Sequence, residues 1–177
     1  MNDIISSDLE SDLKNSWRTD PCIFKALDNE FHFTLDASAS KENHKCDNFL
    51  TKEDDALIVD WSEHTYGNNS VFINPPYGRG FIKKFMKKCI EQAEKGLTSV
   101  MLVPATLDAQ WLPIDDISEI RIITGGRLSF FHPVTNKKIN GNTKGTMFVI
   151  FRPTKMPLSV RLIDRDELLA HGAVENE

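Results

Sequence analysis

Residues 70–105 spell a strand, a helix and a second strand with little between them. Ser70-Val71-Phe72-Ile73 is an apolar run that ends at Asn74. From Phe81 to Lys95, apolar residues fall at 81, 82, 85, 86, 89, 90 and 93, the 3.6-residue period of a helix half-sunk in a core. Gly96 is a fitting stop for that helix. The run from Thr98 to Ala105 is nearly all apolar, as a strand covered on both faces must be. A strand–helix–strand unit of this kind places its two strands in parallel. The fold class that follows is α/β, a mostly parallel sheet with helices on its faces.

The flanking sequence extends that frame. In Thr19–Phe31, Asp20 is expected to cap a short helix, Pro21 suits its first position, and Ile23, Phe24, Leu27 and Phe31 share one side. Residues 31–37 read as a strand ending at Asp36, and residues 45–51 as a second short strand. Residues 55–61 fit either a strand or a short helix. Residues 118–124 and 146–153 read as further strands. The segment 125–145 between them is too polar and glycine-rich for a regular element, and residues 164–172 read as a terminal helix. The expected division is a frayed acidic N-terminus over 1–16, one compact domain over 17–154 and a C-terminal extension over 155–177.

A length of 177 residues suits one α/β domain. No apolar run approaches the roughly 20 residues that cross a bilayer, and the acidic first 16 residues lack the apolar core of a signal peptide. Cys22, Cys46 and Cys89 are odd in number and widely spaced, so neither a disulfide framework nor a zinc site is expected. The five histidines show no metal-ligand spacing. A reduced, cytoplasmic setting follows. The net charge of −5 is concentrated at the ends, with −3 in residues 1–16 and −4 in residues 164–177, which leaves +2 for the body. A mildly basic body permits a polyanionic partner.

Ligands of open α/β sheets sit beyond the carboxyl ends of the strands. Two such ends carry a polar residue directly after an apolar run: Asp36 and Asn74. Asn74 is followed by Pro75, Pro76 and Tyr77. The Asn side-chain oxygen and the Pro75 carbonyl are two acceptors held by stiff neighbours, a match for the two hydrogens of an –NH₂ group. Tyr77 offers a face on which a flat ring can stack, and Gly78 and Gly80 allow close approach. Withdrawing both hydrogens of a ring amine frees its delocalised lone pair for attack on an electrophile such as the methyl group of S-adenosylmethionine, catalysis by positioning and electrostatics. The same four letters also serve as a plain turn ending a strand.

With these residues in view, the chain resembles the phage-type DNA N-6-adenine methyltransferases. Residues 16–40, 43–57, 72–78, 100–111 and 119–130 look like that family in the same order, a match over roughly 16–152. The resemblance implies a Rossmann-like methyltransferase fold, S-adenosylmethionine as cofactor, and the N6 amine of adenine in DNA as acceptor, the base being flipped into the pocket. Asn74, Pro75, Pro76 and Tyr77 match its catalytic motif. Asp36 matches the acid ending the first strand of the cofactor motif, Trp17, Thr19 and Pro21 the segment closing over the cofactor, and Asp55 a later cofactor contact. The chain departs from the wider class in having Asp36-Ala37-Ser38-Ala39-Ser40 where many methyltransferases have a glycine-rich loop. Ala37 and Ser38 are still small enough for close approach. Only 38 positions separate Asp36 from Asn74, so this half is expected to be abbreviated, and Glu53, Asp54 and Asp55 compete as the ribose-binding acid.

Arg79, Arg127, Lys137 and Lys138, with Lys144, are the candidate DNA contacts, because long ordered loops tend to be functional. Lys83, Lys84, Lys87 and Lys88 read as a solvated helix face, with a phosphate-contacting stripe as the alternative. Trp61 and Trp111 read as packing residues and Phe130 and Phe131 as anchors. Asp108 reads as a cap or a site residue. Neither membrane nor metal is an expected partner, and no motif fixes an oligomeric state. Two other functions fit the same letters: methyl transfer to another planar amine, such as an RNA base or a protein glutamine, and a DNA-binding accessory protein without catalysis. A phage gene serving restriction evasion and one serving regulation fit equally.

Overall fold

The computed structural model describes residues 17–173 apart from Arg79, Val134 and residues 140–143. The expectations for residues 1–16 and the proposed Arg79 contact lie outside the described residues. The chain begins with a two-residue strand, β1 (Arg18–Thr19), and helix α1 (Pro21–Phe31). It continues through β2 (Leu35–Asp36), β3 (Ser70–Ile73), α2 (Phe81–Glu94) and β4 (Thr98–Pro104). Then come β5 (Glu119–Thr124), β6 (Phe130–Phe131), β7 (Lys138–Ile139), β8 (Thr146–Phe151), β9 (Ser159–Asp164) and α3 (Arg165–Ala173).

Six strands form one mixed sheet in the order β2-β3-β4-β8-β5-β9. β2, β3 and β4 are parallel, β8 runs antiparallel to both its neighbours, and β9 is parallel to β5. The alternation of side chains along each strand divides the core into two layers. Val71, Ile73, Met101, Val103, Met147 and Val149 face α2, whose Ile82, Phe85, Met86 and Cys89 cover them together with Trp61 and Leu50. Phe72, Val100, Leu102, Phe148 and Ile150 face the opposite way, onto Ile23, Leu27 and Phe31 of α1 and Leu168 of α3. Each fully buried large apolar side chain stabilises the domain by roughly 1.5–3 kcal/mol. Trp61 is fully buried and donates from Nε1 to the Ala56 carbonyl at 2.8 Å, in keeping with a packing role.

Local signals set the helix ends. The Asp20 side chain accepts from Cys22 N, Pro21 occupies the first turn, and His32 ends α1 in a left-handed conformation with φ 49°. Gly96, at φ 95°, closes the end of α2 as only glycine does without strain. Charge then fixes α1 to the sheet. Arg121 on β5 makes a two-pronged pair with Glu30 of α1 at 2.6 Å each and reaches Glu119 at 2.7 Å. Arg152 joins Glu119 at 3.1 Å, and the Arg121 and Arg152 guanidinium groups lie 5.1 and 5.5 Å from the Phe31 ring centre.

Several expectations need correction. Residues 45–51 form no strand; a single bridge joins Phe49 to Asp36. Residues 55–61 are neither strand nor regular helix but a run of turns leading into a short 3₁₀ segment at Trp61–Glu63. The segment 125–145 is not wholly irregular, because β6 pairs with β1 on one side and β7 on the other in a three-stranded sheet. Residues 155–173 supply an edge strand and a helix to the same body, α3 packing so closely on α1 that a Cβ at Gly172 would overlap the Cys22 carbonyl. Lys83, Lys84 and Lys87 are exposed as expected, whereas Lys88 is buried and paired with Glu91 at 3.1 Å.

Candidate active site

The parallel pair β2 and β3 opens at its carboxyl ends into a cluster of polar groups. The register sets Asp36 beside Phe72, so Asn74 emerges two residues beyond Asp36 on the neighbouring strand. Segment 36–39 runs back along residues 48–50 through Asp36 N to the Asn48 carbonyl, Leu50 N to the Asp36 carbonyl and Ala39 N to the Leu50 carbonyl. β2 is an edge strand of the six-stranded sheet, and no strand–helix repeat lies between Asp36 and Asn74, as their short spacing leads one to expect. Ala37 is fully buried and donates to the Phe72 carbonyl at 3.0 Å.

Asp36 is only 4% exposed. One carboxylate oxygen accepts from Ser38 N at 3.1 Å and the other from Lys45 N at 3.0 Å. Burial pushes its pKa up to about 6, against the pull of those two N–H groups and the Lys45 charge. The same burial pulls the Lys45 ammonium down, Asp36 opposing it. Lys45 Nζ donates to the Thr19 carbonyl at 2.9 Å. Arg18 lies within electrostatic reach of Lys45, and its buried Nε has no hydrogen-bond partner among the described residues.

Asn74 is held at two points. Its backbone N–H donates to Ser38 Oγ at 2.7 Å, and its side-chain Nδ2 donates to Thr19 Oγ1 at 3.1 Å. The Asn74 Oδ1 accepts from the Tyr77 hydroxyl at 3.3 Å, a long bond. Pro75 is buried, and no group among the described residues donates to its carbonyl. Tyr77 keeps 39% of its surface exposed, while burial of its hydroxyl pushes the phenol's pKa up.

Thr19, Asp36, Ala37, Ser38, Asn74 and Tyr77 are therefore joined in one continuous set of contacts. Lys45 belongs to it too, although sequence reading passed over it: it lies 26 residues from Thr19 and 9 from Asp36. Trp17 packs instead against Phe130 of β6, ring centres 6.2 Å apart, and Pro21 starts α1. Asp55 sits in an exposed turn at φ 52°, its carboxylate accepting from Leu57 N at 3.2 Å. Asp54 is likewise engaged by Thr51 through N and Oγ1, at 2.8 Å each. Arg127, Lys137 and Lys138 are exposed, the last on β7 beside the start of α1, where its charge acts on Cys22. Among the described residues there is no cluster of side chains able to hold a metal ion, and no helix long and apolar enough to cross a membrane.

A family model described as DNA N-6-adenine-methyltransferase (Dam) matches residues 6–175. The DNA N-6-adenine-methyltransferase of Escherichia phage T1 is 31% identical over 160 residues, covering 81% of this chain and 65% of the phage protein. The chain thus spans just under two thirds of that relative's length. The DNA N-6-adenine-methyltransferase of Haemophilus phage HP1 is 30% identical over 145 residues, covering 79% of this chain and 80% of its own. A putative methyltransferase of Escherichia coli K12, YfdM, is 40% identical over 65 residues, covering 36% of this chain and 71% of its own.

Proposed function

This chain belongs to the DNA N-6-adenine-methyltransferase (Dam) family, and from that premise we propose that it transfers a methyl group from S-adenosylmethionine to the N6 amine of adenine in DNA. The observation that carries the reading is the pair of acceptors at the end of β3. Asn74 Oδ1 is engaged only by a long bond from Tyr77, and the Pro75 carbonyl takes no hydrogen bond from the described residues. An –NH₂ group is the ligand that uses both.

S-Adenosylmethionine is a sulfonium cation with an ammonium and a carboxylate at its tail, and the polar groups beside Asn74 fit it. Asp36 would supply the negative field, the small Ala37 and Ser38 would allow close approach, and Arg18, whose buried Nε has no partner among the described residues, would supply a donor for a carboxylate. When bound, it provides a methyl group on a good leaving atom. The protein's part is to hold the acceptor. Asn74 Oδ1 and the Pro75 carbonyl accept the two amine hydrogens, turning the nitrogen toward tetrahedral geometry and freeing its lone pair. No side chain needs to act as a strong base, because the proton leaves to water after transfer. The base's amine takes the place of the Tyr77 hydroxyl on Asn74 Oδ1.

An adenine inside a duplex must leave the stack to reach Asn74, at a cost of a few kcal/mol. Stacking on Tyr77 offsets about 1–3 kcal/mol of that. Exposed Lys137 and Lys138 on and beside β7, with Arg127 and Arg79, are the phosphate contacts of this reading. The donor contacts that the family resemblance assigns to Trp17, Pro21 and Asp55 lie outside the set of contacts around Asn74, and the reading does not rest on them. The DNA substrate sets the work in the cytoplasm of the host cell. Incubating unmethylated DNA with the protein and S-adenosylmethionine, then digesting to nucleosides, should yield N6-methyldeoxyadenosine. A digest in which no methylated adenine appears, while the donor binds and the fold is intact, would refute the reading.

A further inference from the structure

The Asn side-chain amide has a broad, nearly two-fold torsion, so nothing intrinsic to Asn74 decides which of its ends faces the base. The orientation matters. An amide turned over would set its own –NH₂ against the amine of the base, donors against donors, leaving both unpaired. Thr19 anchors one end of that amide. It is 2% exposed, so water does not compete for its hydroxyl, which accepts from Asn74 Nδ2 at 3.1 Å and leaves Oδ1 on the open side with Tyr77.

Thr19 needs support of its own. It lies on a two-residue strand, β1, paired only with β6. Lys45 Nζ donates to its carbonyl at 2.9 Å, while Lys45 N donates to the Asp36 carboxylate at 3.0 Å. Asp36 ends β2 beside the strand that carries Asn74. The contacts close into a ring: Asp36, Lys45, Thr19, Asn74, then Ser38 Oγ and back to Asp36. A half-buried lysine that makes no ion pair among the described residues spends its ammonium on one carbonyl, a costly use of a charge for mere packing.

We propose that Thr19 and Lys45 are positioning residues for Asn74, Thr19 anchoring the inner end of the amide so that its outer end stays in one place beside the base, and Lys45 holding Thr19 in place. The inference rests on the methyltransferase reading for its consequence and on the geometry alone for its premise. Thr19 then serves the acceptor side as well as the donor side to which sequence reading assigned it. Neither residue touches the reacting atoms.

The test compares Thr19→Ser, Thr19→Val and Lys45→Met with the wild type, each checked for an unchanged thermal transition. Thr19→Val, which removes the hydroxyl, should lower kcat about 10²-fold, the scale of an angstrom-sized misplacement, with KM for DNA held within about threefold. Thr19→Ser should restore kcat to within about threefold of wild type. Lys45→Met should fall between. An independent arm reads the Asn74 side-chain amide in a ¹⁵N-labelled protein, its signals identified by their loss in Asn74→Ala. Its hydrogens should exchange slowly in the wild type and Thr19→Ser, and faster in Thr19→Val and Lys45→Met. Thr19→Val with wild-type kcat, or an Asn74 amide unchanged by the loss of the hydroxyl, would overturn the proposal. Should the wild type methylate nothing, the methyltransferase reading fails by that result, and the amide arm still decides whether Thr19 and Lys45 hold Asn74.

Discussion

Replacing Arg121 with methionine should be among the most damaging single changes outside the site. The substitution keeps an unbranched stem in place but removes the guanidinium. In the native protein that group is buried and makes four short contacts, two to Glu30 at 2.6 Å and two to Glu119 at 2.7 and 3.2 Å. Glu30 is half-exposed and can return to water. Glu119 is 6% exposed and cannot. It would be left with Arg152 at 3.1 Å and the exposed Arg161 at 3.6 Å. Breaking a buried pair by removing one partner costs about 3–5 kcal/mol. For a domain of this size each kcal/mol moves Tm by about 2–4 °C, so the transition should fall by roughly 6–20 °C. Equilibrium urea unfolding with a far-ultraviolet signal measures the difference directly. The pH dependence supplies a second check. The pKa of Glu30 is lowered, chiefly by its hydrogen bonds to Arg121. That of Glu119 is lowered too: burial pushes it up, but the hydrogen bonds and charges of Arg121 and Arg152 outweigh it. Carboxylates lowered on folding stabilise above their unfolded pKa and cease to do so as pH falls through their folded values. The gap between wild type and variant should therefore be full at neutral pH and narrow below about pH 4.5. A difference under 1 kcal/mol at pH 7, or one that widens in acid, would refute the account of how α1 is fixed to the sheet.

Two further predictions follow from other parts of the molecule. Because Asp36 titrates near 6 when folded and near ~3.9 when unfolded, its share of stability should fall by about 2 kcal/mol as pH rises from 4 to 6. Binding of the cationic donor should strengthen across the same rise and level off above it, and calorimetric titration with S-adenosylmethionine between pH 5 and 8 would show either that curve or a contradictory flat line. Gly172→Ala would drive a methyl group into the Cys22 carbonyl and force α3 away from α1. Overpacking of this kind costs about 1–3 kcal/mol, and a thermal melt unchanged by the substitution would contradict the close approach.

How much of this was legible in sequence depends on how local each signal is. The two long helices could be read because their causes are adjacent in the chain: Asp20 and Pro21 for α1, the apolar stripe and Gly96 for α2. Asp36 and Asn74 could be read because a polar residue directly after an apolar run marks a strand's carboxyl end. The edge strand β9 was missed because its pattern is ambiguous. Val160 and Leu162 are 56% and 70% exposed, Arg161 stands between them, and the pairing partner β5 lies far back in the chain. The two-residue strands β1, β6 and β7 have no local signature at all; they exist only because the fold brings residue 18 beside residue 131. Lys45 escaped notice for the same reason, since a lysine in a polar loop looks solvated until the chain closes over it. Lys88 misled in the other direction. It falls on the polar side of the helical stripe, yet its stem packs down and its ammonium meets Glu91.

The central claim is that the oxygens of Asn74 and Pro75 grip the amine of an adenine. Its most direct measurement is single-turnover transfer of a labelled methyl group from S-adenosylmethionine to DNA by Asn74→Ala, alongside the wild type. Loss of a preorganised acceptor at the reacting atom should cut the rate by about 10²–10³ or more while donor binding and Tm are preserved. A variant that transfers the label within tenfold of the wild-type rate would contradict the account.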